Sequence, residues 1–260
     1  MRLLRVGVQL ACGLVTAALV FPVASPAARL DFTRHWALRM IRAVGVRLSV
    51  EGHAPAAGAL LVANHVSWLD VLALASHMPA AVFVAKSEVR DWPAIGWLAT
   101  RAGTLFLKRS SGRSLLRIKE NISAVLAAGR NVALFAEGTT SNGSDVLPFR
   151  SGLLQAAVDS ARPVQAVAIA YHDEDGRLSA AAAFVDAMSL WESIGAILRC
   201  GPITARLVIA PPLAAAGRTR KELAREAHLL VAAILTRPRS AVEVSDAADG
   251  RQYTSSAIGS

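Results

Sequence analysis

Short, mostly apolar runs that stop abruptly at polar residues constrain this chain most. Residues 59–63 (Ala-Leu-Leu-Val-Ala) and 131–135 (Asn-Val-Ala-Leu-Phe) are too short for a typical globular helix. Their near-continuous apolarity, with no alternation, marks strands covered on both faces. A third such run covers 164–170, and a fourth, less pure, 204–209. Helical patterns lie between them. Residues 113–128 place Leu115, Ile118, Ile122, Val125 and Leu126 on one stripe, with Gly129 as the stop, and 153–161, 190–198 and 219–235 read the same way. A shorter strand is expected near Ala182. Strands and helices alternate without repeats or a clear linker, which predicts a single α/β domain: a central, mostly buried sheet flanked by helices. With 260 residues, one domain of about 200 residues plus an anchor is expected, enough to bury a substantial core.

The anchor is read from the N-terminus. Residues 6–28 carry no charge, with Arg2 and Arg5 before them and Arg29 and Arg34 after. A spanning helix needs roughly 20 apolar residues, and Pro22 and Pro26 interrupt this run, so helix, break, second helix is the expected arrangement. The second helix is placed at 31–48, with Phe32, Trp36, Met40, Ile41, Val44 and Leu48 along one side and Arg34, Arg39, Arg42 and Arg47 mostly around the other. An apolar face rimmed by arginine suits the headgroup layer of an anionic leaflet, where each cation contributes on the order of 1 kcal/mol. The alternative is an amphipathic helix packed on a core. A cleavable secretory leader is a further alternative, because 1–5 resemble a basic leader start and 23–28 offer small residues. The favoured division is a membrane-attached helical hairpin at 1–48, a core domain at 49–236 and a disordered tail at 237–260, where Pro, Ser, Asp and Gly dominate.

Chemistry gathers where the buried strands end. Asn64-His65-Val66-Ser67-Trp68-Leu69-Asp70 follows the first run and offers a histidine with a carboxylate five residues on. Five residues of continuous helix turn about 500°, placing the two roughly 140° apart, so His65 is expected in the strand-to-helix turn and Asp70 in the first helical turn. Such a carboxylate holds one imidazole nitrogen as N–H and leaves the other to take a proton from an alcohol. The plainer reading makes Asp70 the partner of an N-capping Ser67 in a capping box. The second run leads into Glu137-Gly138-Thr139-Thr140-Ser141, where glycine lets backbone approach a ligand and N–H groups with nearby hydroxyls can meet an anion. Between them, 103–107 reads as a strand ending in Lys108 and Arg109, cations suited to a phosphate or simply to solvent.

No His or Cys pair has metal-ligand spacing, so no metal and no bound cofactor are implied. Cys12 and Cys200 make no disulfide framework. The net charge of +9 attracts anionic surfaces in general. Nucleic acid is not expected as a partner, because the aromatic residues are few and form no motif with the arginines.

In order and spacing these blocks resemble the 1-acylglycerol-3-phosphate acyltransferases and related glycerolipid acyltransferases. The family's Asn-His-x4-Asp looks like Asn64 to Asp70, its Gly-x-x-Phe-Ile-x-Arg like Gly103 to Arg109, and its Phe-Pro-Glu-Gly-Thr-Arg-Ser like Phe135 to Ser141. Its Val-Pro-Val-x-Pro-Val-Ala run corresponds to 162–168, and Lys86 with 93–96 (Pro-Ala-Ile-Gly) resembles the segment between the first two blocks. The likeness covers about residues 50–172. Thr140 stands where the family carries Arg, Ala136 where it carries Pro, and Ala166 replaces the second Pro of the fourth block. In the family that Arg, with the basic residue of the second block, is associated with the acceptor's phosphate; Arg150 is a possible substitute. The stretch 137–149 also resembles the lyso-ornithine lipid acyltransferase branch, whose acceptor has no phosphate.

The resemblance implies acyl transfer from a thioester, acyl-CoA or acyl-acyl carrier protein, to the free hydroxyl of a lysophospholipid. His65 is then the general base and Asp70 its orienting partner, with Asn64, Lys108, Arg109, Glu137, Gly138, Thr139 and Thr140 binding substrate. The retained basic pair favours 1-acylglycerol-3-phosphate as acceptor and phosphatidic acid as product. A lyso-ornithine lipid is the alternative acceptor, and a non-catalytic membrane-surface protein with the same fold is the alternative of another class. The expected location is the inner membrane of a bacterium, with the site facing the cytoplasm and the thioester donor.

Overall fold

The computed structural model describes residues 1–108, 112–185 and 188–237. Seven strands form one sheet: β1 (Val46–Gly52), β2 (Leu60–Ala63), β3 (Val82–Lys86), β4 (Leu105–Leu107), β5 (Val132–Phe135), β6 (Val164–His172) and β7 (Ile203–Leu213). Their order across the sheet is β1-β7-β6-β2-β5-β3-β4. From β6 to β4 every pairing is parallel; β7 runs antiparallel to β6, and β1 parallel to β7. The apolar run at 59–63 thus lies centrally, between β5 and β6, and every residue of β2 is buried. Parallel strands bonded on both sides and covered on both faces need this continuous apolarity.

The helices divide between the two faces. On one face lie α2 (Pro26–Ala43) and α3 (Leu69–His77), with α7 (Leu190–Arg199) contributing Ile197 to the same apolar layer as Ile41, Leu61, Leu69, Leu74, Ile169 and Tyr171. On the other, α5 (Gly112–Ala127), α6 (Gln155–Asp159) and α8 (Arg220–Thr236) cover Leu60, Val62, Leu134, Val164 and Ala168. A short α4 (Ile95–Arg101) sits beside a 3-10 turn at Ser87–Asp91. Burying each Val, Leu or Ile of these layers contributes about 1.5–3 kcal/mol. The α/β fold with a central sheet flanked by helices is therefore as expected.

At the N-terminus, α1 (Arg2–Val15) continues through a π-helical turn, Thr16–Val20, and stops before Pro22. Helix, break, helix is observed, but the second helix differs from its expected form in two ways. It begins earlier, at Pro26, because Ser25 caps it by accepting from Ala28 N (3.3 Å) and proline is at home in a first turn. It ends earlier, at Ala43, because Gly45 takes φ +89° and turns the chain into β1, so Arg47 and Leu48 are strand residues. The face assigned to headgroups is also largely interior: Met40, Ile41 and Val44 are buried in the core over α3 and the sheet. Periodicity reads burial without naming the medium, and here the medium is protein.

The described residues contain one helix long and apolar enough to cross a bilayer, Arg2–Val20. It leaves most of its surface outside the fold, including Leu3, Leu4, Val8, Val15, Leu19 and Val20. It packs on α2 through Trp36, whose indole N–H donates to Gln9 O (2.8 Å), and Phe21 meets Phe32 edge-on. Of the expected hairpin, then, one apolar helix is present; α2, which carries Arg29, Asp31, Arg34, Arg39 and Arg42, belongs to the core.

Three smaller expectations are corrected. The strand near Ala182 is a 3-10 turn, Ala180–Ala182, since consecutive alanines give a pleated surface nothing to pack. The helix at 153–161 shortens to Gln155–Asp159, and β6 runs two residues beyond the expected 164–170, to His172. The expected tail beyond Arg237 lies outside the described residues.

Candidate active site

The register of the sheet assembles the site. Ala63 pairs with Phe135 on one side and Val167 on the other, so the residues after β2, those after β5 and the end of β6 meet at one edge of the sheet, beyond the carboxyl ends of three parallel strands. Open α/β sheets bind ligands there. Asn64, the first residue past β2, replaces the missing ladder with its amide: Nδ2 donates to Ile169 O (2.9 Å) and Oδ1 accepts from Ile169 N (2.8 Å). It is buried, so the amide holds the turn and is not available to a substrate.

His65 and Asp70 meet as expected, the former in the strand-to-helix turn and the latter in the first turn of α3. His65 Nδ1 donates to Asp70 Oδ2 at 2.7 Å. The same oxygen accepts from Val66 N (2.8 Å) and Ser67 N (2.9 Å), and Oδ1 accepts from the Tyr171 hydroxyl (2.6 Å). Three other donors, Val66 N, Ser67 N and the Tyr171 hydroxyl, already face this wholly buried carboxylate as an acceptor, so the ring contact is read with Nδ1–H donating as well, which leaves Nε2 with its lone pair. The capping role expected of Ser67 is not observed: Trp68 is the N-cap, without a side-chain bond, because Asp70 itself takes the N–H groups of the turn.

The imidazole is fixed in its plane as well. Phe135, the last residue of β5, stacks on it with centroids 3.9 Å apart and planes 11° from parallel. The His65 side chain keeps 20% exposure beside an Asp70 side chain with none, so the free nitrogen is reachable while its partner is sealed. This division is the one a general base requires.

Glu137 enters from the β5 side. Its Oε1 accepts from His65 N (2.9 Å), which couples the two motif turns directly, and it is buried. Burial pushes its carboxyl above the usual range, the nearby Asp70 charge adds to that, and the His65 N–H opposes it. Gly138, at φ +71°, turns the chain back, so that Ser141 N donates to His65 O (2.8 Å). On the opposite side of the turn, Phe184 N donates to Val66 O (2.9 Å) and its ring meets Trp92 edge-on, which brings the segment after Lys86 to the rim.

The remaining predicted residues lie further out. Thr139 is exposed and Thr140 half-buried. Lys108 is exposed at the end of edge strand β4, beyond β3 from β5, and Arg109 lies outside the described residues. Arg150 is drawn toward the turn: its backbone N donates to Ala136 O (2.8 Å) and its Nε to Glu137 O (3.2 Å). Two residues are absent from the sequence reading, Phe135 as a stacking partner and Tyr171. The signal for Tyr171 is a phenol in an otherwise apolar buried strand, since a buried hydroxyl needs a partner.

A partly exposed imidazole backed by a sealed carboxylate, at the carboxyl edge of this sheet, is the arrangement of an enzyme in which histidine takes a proton from a hydroxyl. The comparisons identify which. The acyltransferase family profile matches residues 46–170. The lyso-ornithine lipid O-acyltransferase of Pseudomonas aeruginosa is 40% identical over 203 residues, 78% of each chain. The 1-acyl-sn-glycerol-3-phosphate acyltransferase of Neisseria meningitidis is 39% identical over 149 residues, 56% of this chain and 58% of that one. The crystal structure of the 1-acyl-sn-glycerophosphate acyltransferase from Thermotoga maritima superposes with a TM-score of 0.60 at 20% identity, covering 92% of this chain and all of that one, which supports the fold. The chain belongs to the acyltransferase family and is an enzyme of lipid metabolism.

Proposed function

We propose that this protein is a membrane-bound O-acyltransferase whose acceptor is a lyso-ornithine lipid. The observation that carries the acceptor is the match across 78% of both chains to the Pseudomonas enzyme, against 58% of the meningococcal one. Thr140 in place of an arginine supports it, since a phosphate acceptor loses a cation there. Of the two basic residues that favoured 1-acylglycerol-3-phosphate, Lys108 is exposed at the end of edge strand β4, and Arg109 lies outside the described residues.

In the proposed reaction the acceptor's hydroxyl lies at His65 Nε2 and gives it a proton as its oxygen attacks the thioester carbonyl. Asp70 stabilises the resulting imidazolium. The tetrahedral intermediate collapses, the carbon–sulfur bond breaks, and the imidazolium returns its proton to the departing thiolate, so an ester and a free thiol leave a neutral His65. Glu137 braces the turn through His65 N, and Gly138, Thr139 and Thr140 line the acceptor's path. We assign α1 to the bilayer, the rest of the described chain to the catalytic domain, and the site to the cytoplasmic side where thioester donors are found.

The test is acyl transfer by the full chain in detergent, with lyso-ornithine lipid and lysophosphatidate offered separately and acyl-CoA and acyl-acyl carrier protein as donors. Product from the ornithine acceptor is expected. Product from lysophosphatidate alone would overturn the acceptor and return the phosphate reading. For the anchor, removal of residues 2–24 is the appropriate deletion, because α2 and β1 are structural; sedimentation with membranes unchanged by it would overturn the role of α1.

A further inference from the structure

We propose that Tyr171 is a positioning residue of the reaction: its hydroxyl, donated to Asp70 Oδ1, holds the carboxylate in the rotamer that orients His65. The inference rests on the reading of His65 as general base. Tyr171 lies just beyond the residues matched by the family, 46–170, on the strand that Asn64 clamps two residues earlier.

Three observations support it. The bond is short, 2.6 Å, as expected for an O–H donor to a charged acceptor. Tyr171 is 2% exposed and Asp70 wholly buried, so no solvent stands in for the phenol. Finally, Asp70 divides its oxygens: Oδ2 carries His65 Nδ1 and two backbone N–H groups, while the only bond to Oδ1 among the described residues is Tyr171. Without it, one oxygen of a buried carboxylate has no donor and the group can rotate away from imidazole. Burial and the adjacent charge hold the phenol's proton far more tightly than usual, so Tyr171 remains a donor throughout the working range.

The charged and titratable groups facing this carboxylate are few. His65 and Glu137 approach from the turns after β2 and β5, and Tyr171 from β6. Losing the phenol leaves the Oδ1 side of this buried carboxylate without its hydrogen-bond donor, so the orientation it gives the imidazole is less well held.

The experiment uses the full chain in detergent, with whichever acceptor the wild type turns over. Tyr171→Phe keeps the ring and removes the hydroxyl. We expect kcat to fall roughly 10-fold with KM unchanged. In an Asp70→Asn background the same substitution is expected to add little, because its route is already cut. A Tyr171→Phe enzyme with wild-type kcat would overturn the proposal, as would a loss expressed in KM alone or a full additional loss in the Asp70→Asn background. A fold defect is separated by fluorine resonance: the chain has two tyrosines, so 3-fluorotyrosine labelling of otherwise wild-type protein gives two signals, assigned by Tyr171→Phe. The Tyr171 signal should shift when Asp70 becomes Asn, and an unmoved signal would overturn the contact. Full activity in His65→Ala would instead remove the base itself, an outcome distinct from failure of Tyr171.

Discussion

The His65–Asp70 pair, proposed to activate the hydroxyl, and the rim proposed to receive the acceptor sit at the same edge of the same sheet, yet are built in opposite ways. Around His65 and Asp70 the functional atoms are held by protein: four donors on the carboxylate, a stacked ring on the imidazole, and Glu137 on its backbone, while the buried Ser67 Oγ has no hydrogen-bond partner among the described residues. Around Lys108, Thr139, Thr140 and Arg150 the side chains are exposed or half-buried, and among the described residues Arg150 Nε on Glu137 O is the one side-chain anchor. Proton transfer tolerates little misplacement, so the base is over-determined. Headgroup recognition is set by which charges face the opening, and a few exposed positions can change it without touching the core.

That contrast breaks first at the base. His65→Ala is expected to lower kcat by about 10²–10⁴-fold, the usual contribution of a positioned general base, while membrane association and folding remain. Asp70→Asn should cost a comparable amount and, in addition, destabilise the fold, because an amide cannot accept from four donors at once. Initial rates with thermal denaturation of both variants check this. Activity retained in His65→Ala would mean that the constrained region is a structural bolt and that the chemistry lies elsewhere.

The rim should respond in KM and in acceptor preference, and less strongly. A hydrogen bond to a charged group is worth about 1.5–3 kcal/mol, or roughly 10- to 100-fold. Arg150→Ala is therefore expected to raise KM for an anionic acceptor with kcat nearly unchanged. Thr140→Arg, which restores the cation typical of the phosphate branch, should improve turnover of lysophosphatidate relative to lyso-ornithine lipid. Kinetics of each variant with both acceptors measures this. Equal effects on kcat would place these residues with the base and erase the distinction.

The same contrast decides what is legible in sequence. The strands at 60–63 and 132–135 are readable because a short apolar run ending in polar residues has few other fates, and His65 with Asp70 because a five-residue local turn is constrained by helix geometry alone. Tyr171 is 101 residues from Asp70, and nothing local announces a contact made by strand order. The same limit explains α2. Met40, Ile41 and Val44 have the spacing of a buried stripe, but whether lipid or protein buries it depends on α3 and the sheet, which the stripe does not encode. Its end depends on Gly45, whose φ of +89° is a property of the turn into β1. Acceptor identity is least legible, because it rests on exposed residues with no pattern to satisfy.

Glu137 belongs to both regions and offers the smallest but most discriminating effect. Its carboxyl is held above its unfolded range by burial, so ionisation is harder in the folded chain than in the unfolded one. A raised acid binds its proton more tightly when folded; below the unfolded value it therefore contributes nothing, and its cost appears as pH rises through the unfolded value toward the folded one, then stays constant. Glu137→Gln keeps an oxygen for His65 N and removes the charge. The variant should match the wild type in melting temperature near pH 4, within the range where an unfolded glutamate is protonated, and exceed it at neutral and higher pH. If Glu137 also serves the acceptor, kcat/KM falls in the same variant, and stability gained where activity is lost would mark a residue retained for function against the preference of the fold. Melting curves across the pH range check the sign: a variant less stable at neutral pH would mean that the charge is held by contacts strong enough to offset its burial, and would place Glu137 wholly with the braced region.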